Sequence, residues 1–103
     1  MSNWVKAADA ADFADGDVRM AEIVGTEVAI YRVDGTFFAT DNICTHAFAR
    51  LSDGFLDDCS IECPLHAGRF DIRTGKALSG PVNEDLRSYP VKIEGGDVLI
   101  DLG

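Results

Sequence analysis

The sequence predicts an all-β domain, a small antiparallel β-sandwich or barrel with a loop-rich unit inserted at roughly residues 42–81. Three observations carry that prediction. Short runs of β-branched and aromatic residues alternate with turn residues roughly every eight to twelve positions, the spacing of strands in sandwiches and barrels. Asp34-Gly35 and Glu94-Gly95-Gly96-Asp97 sit between such runs, and both supply the positive φ values that tight hairpins need. No long amphipathic helical period interrupts the pattern. At 103 residues the chain can hold a single domain with one site.

Taken in order, Trp4 reads as a core or strand-edge aromatic, and the best helical candidate is one turn near residues 8–13, stopped by Ala14-Asp15-Gly16-Asp17. Strands are expected over 18–24 and 27–33 around Gly25-Thr26, and 36–40 returns from Asp34-Gly35. Residues 42–54 read as loop; Phe55-Leu56 then leads through a turn at Asp57-Asp58 to a strand over 60–62, closed by Cys63. Ala67-Gly68 turns the chain into a strand over 69–72, Thr74-Gly75-Lys76 turns it again, Ala77-Leu78 returns, and Ser79-Gly80-Pro81 is a loop of restricted geometry. In 86–93, Tyr89, Val91 and Ile93 share one face while Ser88 and Lys92 take the other, the period of a half-buried strand. Pro90 donates no hydrogen bond, which places that strand at an edge or a bulge. Residues 98–102 complete the last hairpin.

Nine Lys and Arg against 18 Asp and Glu give a formal charge of −9, which repels a nucleic-acid backbone or an anionic membrane surface and suits a basic protein partner. The N-terminal run has no basic segment followed by an apolar core, and no stretch approaches the roughly 18 apolar residues that span a bilayer. Of the three cysteines, Cys59 is left over once Cys44 and Cys63 are assigned to metal. An odd thiol argues for a reducing compartment, so the expected location is cytoplasmic. Cys59 itself reads as a small half-buried filler, and Asp57-Asp58 and Glu84-Asp85 read as solvated turns.

Chemistry concentrates in Cys44-Thr45-His46 and Cys63-Pro64-Leu65-His66, which together spell C-x-H-x16-C-x2-H. Two thiolates and two imidazoles suit zinc or an iron–sulfur cluster rather than magnesium or calcium. A structural Cys2His2 zinc site usually pairs its cysteines on one hairpin and its histidines on one helix. Here each loop brings one Cys and one His, an order that suits a dinuclear centre in which each loop gives its Cys to one iron and its His to the other.

Around these ligands the chain resembles the Rieske [2Fe–2S] proteins, and among them the small ferredoxins of bacterial aromatic-ring-hydroxylating dioxygenase systems. The likeness runs through Thr40-Asp41-Asn42, Ser52-Asp53-Gly54, Cys63-Pro64-Leu65-His66, Gly68-Arg69-Phe70, Thr74-Gly75-Lys76-Ala77 and Tyr89-Pro90-Val91. It implies a Rieske-like fold in which a cluster-binding subdomain, about 42–81, is inserted in a β basal part formed by 1–41 and 82–103. It also implies that Cys44 and Cys63 bind the inner iron and His46 and His66 the outer one. Pro81 would belong to a loop that covers the cluster from the side, and Phe48, Pro64, Leu65 and Pro81 would form an apolar rim around outward-facing imidazoles.

With neutral imidazoles the oxidised centre sums to zero formal charge, against minus two for four thiolates, so an electron is added more easily and Rieske potentials span about −150 to +300 mV. The high-potential respiratory members carry a disulfide between the loops and Ser and Tyr hydroxyls to the cluster sulfurs; the corresponding places here hold Ala49, Leu65, Gly68 and Phe70. A midpoint near the low end of the range is therefore expected, to be read by redox titration. Without a G-x-G-x-x-G fingerprint the chain takes no hydride itself. The resemblance implies a one-electron carrier, not an enzyme, between an NAD(P)H-dependent flavin reductase and a terminal Rieske non-haem iron oxygenase, both docking transiently at the His46/His66 tip. The alternatives from other classes are a structural zinc-binding interaction module and a Rieske-like small subunit of assimilatory nitrite reductase.

Overall fold

The computed structural model describes residues 2–45, 49–65, 68–79 and 84–103. In chain order the strands are β1 (Trp4–Asp9), β2 (Val18–Ile23), β3 (Thr26–Val33), β4 (Thr36–Asp41), β5 (Phe55–Asp57), β6 (Ser60–Glu62), β7 (Arg69–Asp71), β8 (Ala77–Ser79), β9 (Ser88–Tyr89), β10 (Val91–Glu94) and β11 (Asp97–Asp101). They pair antiparallel in three sheets, ordered β1-β11-β10, β2-β3-β4-β9 and β5-β6-β7-β8. The all-β expectation holds, and among the described residues no helix is long and apolar enough to cross a membrane.

The hairpin turns follow from local chemistry. Asp34 and Gly35 both take positive φ, as do Gly95 and Gly96, so each two-residue loop twists the way its flanking strands do. The turn between β2 and β3 is built alike from Val24 and Gly25, with Val24 paying a steric penalty that a β-branched side chain normally avoids.

Strand β3 organises the interior. Val28, Ala29, Ile30 and Tyr31 are all fully buried, because neighbouring side chains point to opposite faces and both faces of this strand are covered. Ala29 and Tyr31 enter a cluster with Cys44, Leu51, Ile61, Cys63, Phe70 and Ile72. Val28 and Ile30 enter a second cluster with Phe13, Ile23, Tyr89, Val98 and Ile100. One core thus carries the cysteines and the other closes the sandwich, with β3 as their common wall.

Three local expectations are corrected. Residues 8–13 do not form an α-helical turn: Trp4–Asp9 is a strand paired with β11, and only Ala10–Asp12 closes as a 3-10 turn. The alanine-rich run is drawn into the sheet because Val5, Ala7 and Ala8 pack on the second core, so tertiary burial outweighs a weak helical propensity. The strand expected over 86–93 is divided at Pro90: Ser88–Tyr89 pairs with β4 and Val91–Glu94 with β11. Both pieces lie at sheet edges, where a residue lacking N–H is tolerated; the chain changes sheets there while the Pro90 carbonyl accepts from Asp101 N–H at 3.0 Å. Finally, the β5–β6 turn sits on Asp58 and Cys59, with Asp57 still in the strand.

Two buried phenols tie β4 into this frame. Thr40 Oγ1 donates to the Asp41 carbonyl at 2.9 Å, so the Tyr31 hydroxyl, 2.8 Å away, is the donor to Thr40. The Tyr89 hydroxyl donates to the Asp41 carboxylate. Burial, reinforced by that carboxylate, pushes Tyr89 from 10.0 to about 12, and burial pushes Tyr31 upward more strongly. Native phenols that hold protons the unfolded chain has released lose stability as pH rises. The contribution of Tyr89 is therefore intact below its unfolded pKa of 10.0 and lost as pH climbs through about 12. Urea midpoints compared at about pH 9 and about pH 11 should fall for the parent chain and fall less for Tyr89→Phe.

Candidate metal centre

The two loops that begin at Cys44 and Cys63 are built to one plan. Cys44 N–H donates to the Ala49 carbonyl at 2.9 Å, and Cys63 N–H donates to the Gly68 carbonyl at 2.7 Å. Each loop is thus closed by its cysteine bonding to the fifth residue onward. Beneath each closure a cross-strand pair forms the base: an isolated bridge between Ile43 and Arg50 for the first, and Glu62 opposite Arg69 for the second. The spacing Cys44–Arg50 and Cys63–Arg69 is C-x5-R in both cases, a repeat that the sequence carried and that reading by ligand type alone passed over.

Both cysteines are buried, Cys44 at 5% exposure and Cys63 at 1%, and neither is in a disulfide. The two cysteines lie in the same buried cluster. Burial pushes the Cys63 thiol up, and its neighbour Cys44 adds to that, while the Leu65 N–H bonded to the sulfur acts the other way. A buried pair of thiols is the arrangement that favours thiolates once a cation neutralises them. The donor set therefore fits a thiophilic iron centre. His46 and His66 lie outside the described residues, as do Ala47, Phe48, Ala67 and Pro81. Among the described residues, no third His, Cys, Asp or Glu joins the pair in a metal-binding group.

Of the expected rim, Pro64 and Leu65 are exposed, Leu65 at 47%. Ala49, Gly68 and Phe70 are buried, and Phe70 packs in the same core as both cysteines. Cys59 is half-buried against that core, in keeping with a filler. Glu84 and Asp85 are exposed, and the Asp85 carboxylate also accepts from Ala77 N–H at 2.9 Å. Together with Thr45 Oγ1 donating to the Glu84 carbonyl at 2.9 Å and Leu86 N–H to the Gly75 carbonyl at 2.7 Å, it straps the returning chain onto the loops. Sequence spacing gives no sign of these contacts, since they join residues from three separate turns.

A groove of about 270 Å³ lies away from both loops, between Asp15, Val33, Asp34, Leu56 and Asp58. Its lining offers carboxylates and apolar side chains with no nucleophile or imidazole.

Two matching loops that each bring one buried thiol to the same core of a β-domain suit a metal centre that softer, thiophilic ions would occupy. The chain belongs to the Rieske [2Fe-2S] domain family, matching it over residues 3–90, and its cofactor is one Rieske-type [2Fe–2S] cluster. It is 52% identical over 99 residues to the ferredoxin component of a naphthalene 1,2-dioxygenase system from Pseudomonas putida, covering 96% of this chain and 95% of that one. The solved Sphingomonas yanoikuyae B1 ferredoxin superposes with a TM-score of 0.92 at 42% identity, covering 98% of this chain and all of that one. A structure described as the complex of reduced oxygenase and oxidised ferredoxin in carbazole 1,9a-dioxygenase gives a TM-score of 0.90 at 39% identity, over 95% of this chain and 92% of its counterpart.

Proposed function

We propose that this chain is the ferredoxin of an aromatic-ring dioxygenase system, carrying single electrons from an NAD(P)H-dependent flavin reductase to a terminal Rieske oxygenase in the cytoplasm. The observation that supports it most is the pair of buried, unbridged thiols on two matching loops, in a chain alike over nearly its whole length to ferredoxin components of such systems. Cys44, His46, Cys63 and His66 are the ligands in this reading, and residues of about 42–81 form the subdomain that holds the cluster. The cluster supplies reversible uptake of one electron.

This chain's residues do the rest. Burial of Cys44 and Cys63 keeps water from the sulfurs, and the Leu65 N–H holds charge on the Cys63 sulfur. Phe70, lacking a hydroxyl, brings no side-chain donor to the centre, consistent with a low midpoint. Exposed Leu65 provides apolar contact at the tip, while the net charge of −9 favours basic docking faces and fast, salt-sensitive encounters.

The test is reconstitution. NADH or NADPH with a dioxygenase-system reductase should reduce the purified protein, and a partner oxygenase with its aromatic substrate should reoxidise it. A redox titration of the same sample should place the midpoint below zero. Failure of reduced protein to pass electrons to any Rieske oxygenase, or a midpoint well above zero, would refute the assignment.

A further inference from the structure

The first ligand loop is tied to the sandwich by a network with no counterpart at the second loop among the described residues. Glu27, at the start of β3, receives Arg50 through two hydrogen bonds, Nε to Oε1 at 2.8 Å and Nη2 to Oε2 at 3.1 Å. Its Oε1 also accepts from Asn42 Nδ2 at 3.2 Å. Asn42 is fully buried, and every polar group it owns is engaged from one side of the loop or the other. Its N–H donates to the Glu27 carbonyl at 3.0 Å, its carbonyl accepts from Leu51 N–H at 2.7 Å, and its Oδ1 accepts from Ser52 N–H at 2.8 Å. Asn42 precedes Cys44 by two residues and Arg50 follows Ala49, so one glutamate grips both stems of the loop. The second loop has an arginine at the equivalent place, but Arg69 pairs at 3.2 Å with Glu62 of its own hairpin. That pair stiffens the loop without tying it to the sandwich.

We infer that Glu27 is a positioning residue for the metal centre: through Arg50 and Asn42 it fixes where the first loop places Cys44 relative to Cys63, and so sets how firmly the cluster is held and its electronic state. This rests on the assignment of Cys44 as a ligand. Groups beyond the ligands commonly change metal affinity 10- to 100-fold when removed, because they fix ligand orientation. A bidentate guanidinium–carboxylate pair fixes direction as well as distance. Buried Asn42 makes the network costly to loosen, since losing the Glu27 carboxylate strands its amide in the interior.

Glu22 provides the control. It lies directly across from Glu27 in the β2–β3 register and is exposed, so Glu22→Gln removes the same charge from nearly the same place and leaves the network whole. Holoprotein should be prepared for the parent, Glu27→Ala, Glu27→Gln, Arg50→Lys and Glu22→Gln. Each is read by EPR of the reduced state, by midpoint potential and by the rate of bleaching in excess iron chelator. Glu27→Ala and Arg50→Lys should bleach about 10-fold faster than the parent, with displaced g values and a shifted midpoint. Glu27→Gln, which still accepts hydrogen bonds, should fall between, and Glu22→Gln should match the parent.

Parent-like bleaching and EPR in Glu27→Ala and Arg50→Lys would overturn the inference. So would equal changes in Glu22→Gln and Glu27→Gln, which would reduce the effect to charge. Should Glu27→Ala fail to fold, Glu27→Gln and Arg50→Lys decide between the same outcomes. A parent protein that carries no cluster contradicts the ligand assignment itself, and so is distinguishable from failure of the positioning role.

Discussion

Cys63→Ala should yield a folded, colourless protein with no EPR signal after reduction, whereas Cys59→Ala should retain the full cluster. The two thiols differ in what surrounds them. Cys63 is 1% exposed and shares its buried cluster with Cys44. Cys59 occupies the β5–β6 turn and only fills space beside the core. Loss of one sulfur from the core should cost about 1 kcal/mol, a small fraction of the 5–15 kcal/mol typical of a domain, so the change in cofactor content should be complete while the fold persists. Visible absorbance, iron analysis and far-UV circular dichroism of the two variants separate these effects. A Cys63→Ala protein that keeps the spectrum would remove Cys63 from the ligand set.

Gly75→Ala should be strongly destabilising, more so than a methyl added at Gly16, Gly25, Gly35, Gly54, Gly95 or Gly96. A Cβ on Gly75 would stand 2.1 Å from the Leu86 carbonyl oxygen and 2.9 Å from its carbon, and the residue has φ of +81°. The left-handed backbone costs an L residue about 1–3 kcal/mol, and forcing apart a packed backbone contact costs about 1–3 kcal/mol more. The neighbour cannot yield easily, because Leu86 N–H is bonded to the Gly75 carbonyl and Gly75 N–H to the Asp71 carbonyl, both at 2.7 Å. At about 4–8 °C per kcal/mol for a domain near this size, thermal unfolding should fall by about 10 °C or more. Gly54→Ala makes a useful comparison. Its Cβ would also stand 2.1 Å from a carbonyl oxygen, that of Glu62, but its φ of −89° is ordinary, so only the steric part applies. An unchanged unfolding temperature in Gly75→Ala would show that the returning chain is not packed against this turn.

Other glycines show how much of the domain could be anticipated from residues alone. Asp34-Gly35 and Gly95-Gly96 announce their hairpins because positive φ is a local requirement with few chemical solutions. Cys44 and Cys63 announce a metal because buried thiols at such spacing have few other uses. Gly54 and Gly75 stood within the runs that carried the family likeness, but their physical role, close approach of two distant backbone segments, appears only when those segments are placed. The same holds for Glu27: nothing near it in sequence points to Arg50, which is 23 residues away. The strand Trp4–Asp9 was not legible, and residues 8–13 read as a helical turn, since alanine favours helix locally and the strand's partner lies at the other end of the chain. The division at Pro90 lay between these cases; proline marked the place, but only sheet pairing showed that the chain changes sheets there.

Strand β3 gives the domain a property that neither half possesses alone. Because Val28 and Ile30 belong to one interior and Ala29 and Tyr31 to the other, neither interior can come apart without removing a wall of its neighbour. The amides of residues 28–31 should then exchange with deuterium only through complete unfolding. A shared wall makes the end that carries Cys44 and Cys63 and the rest of the sandwich a single mechanical piece.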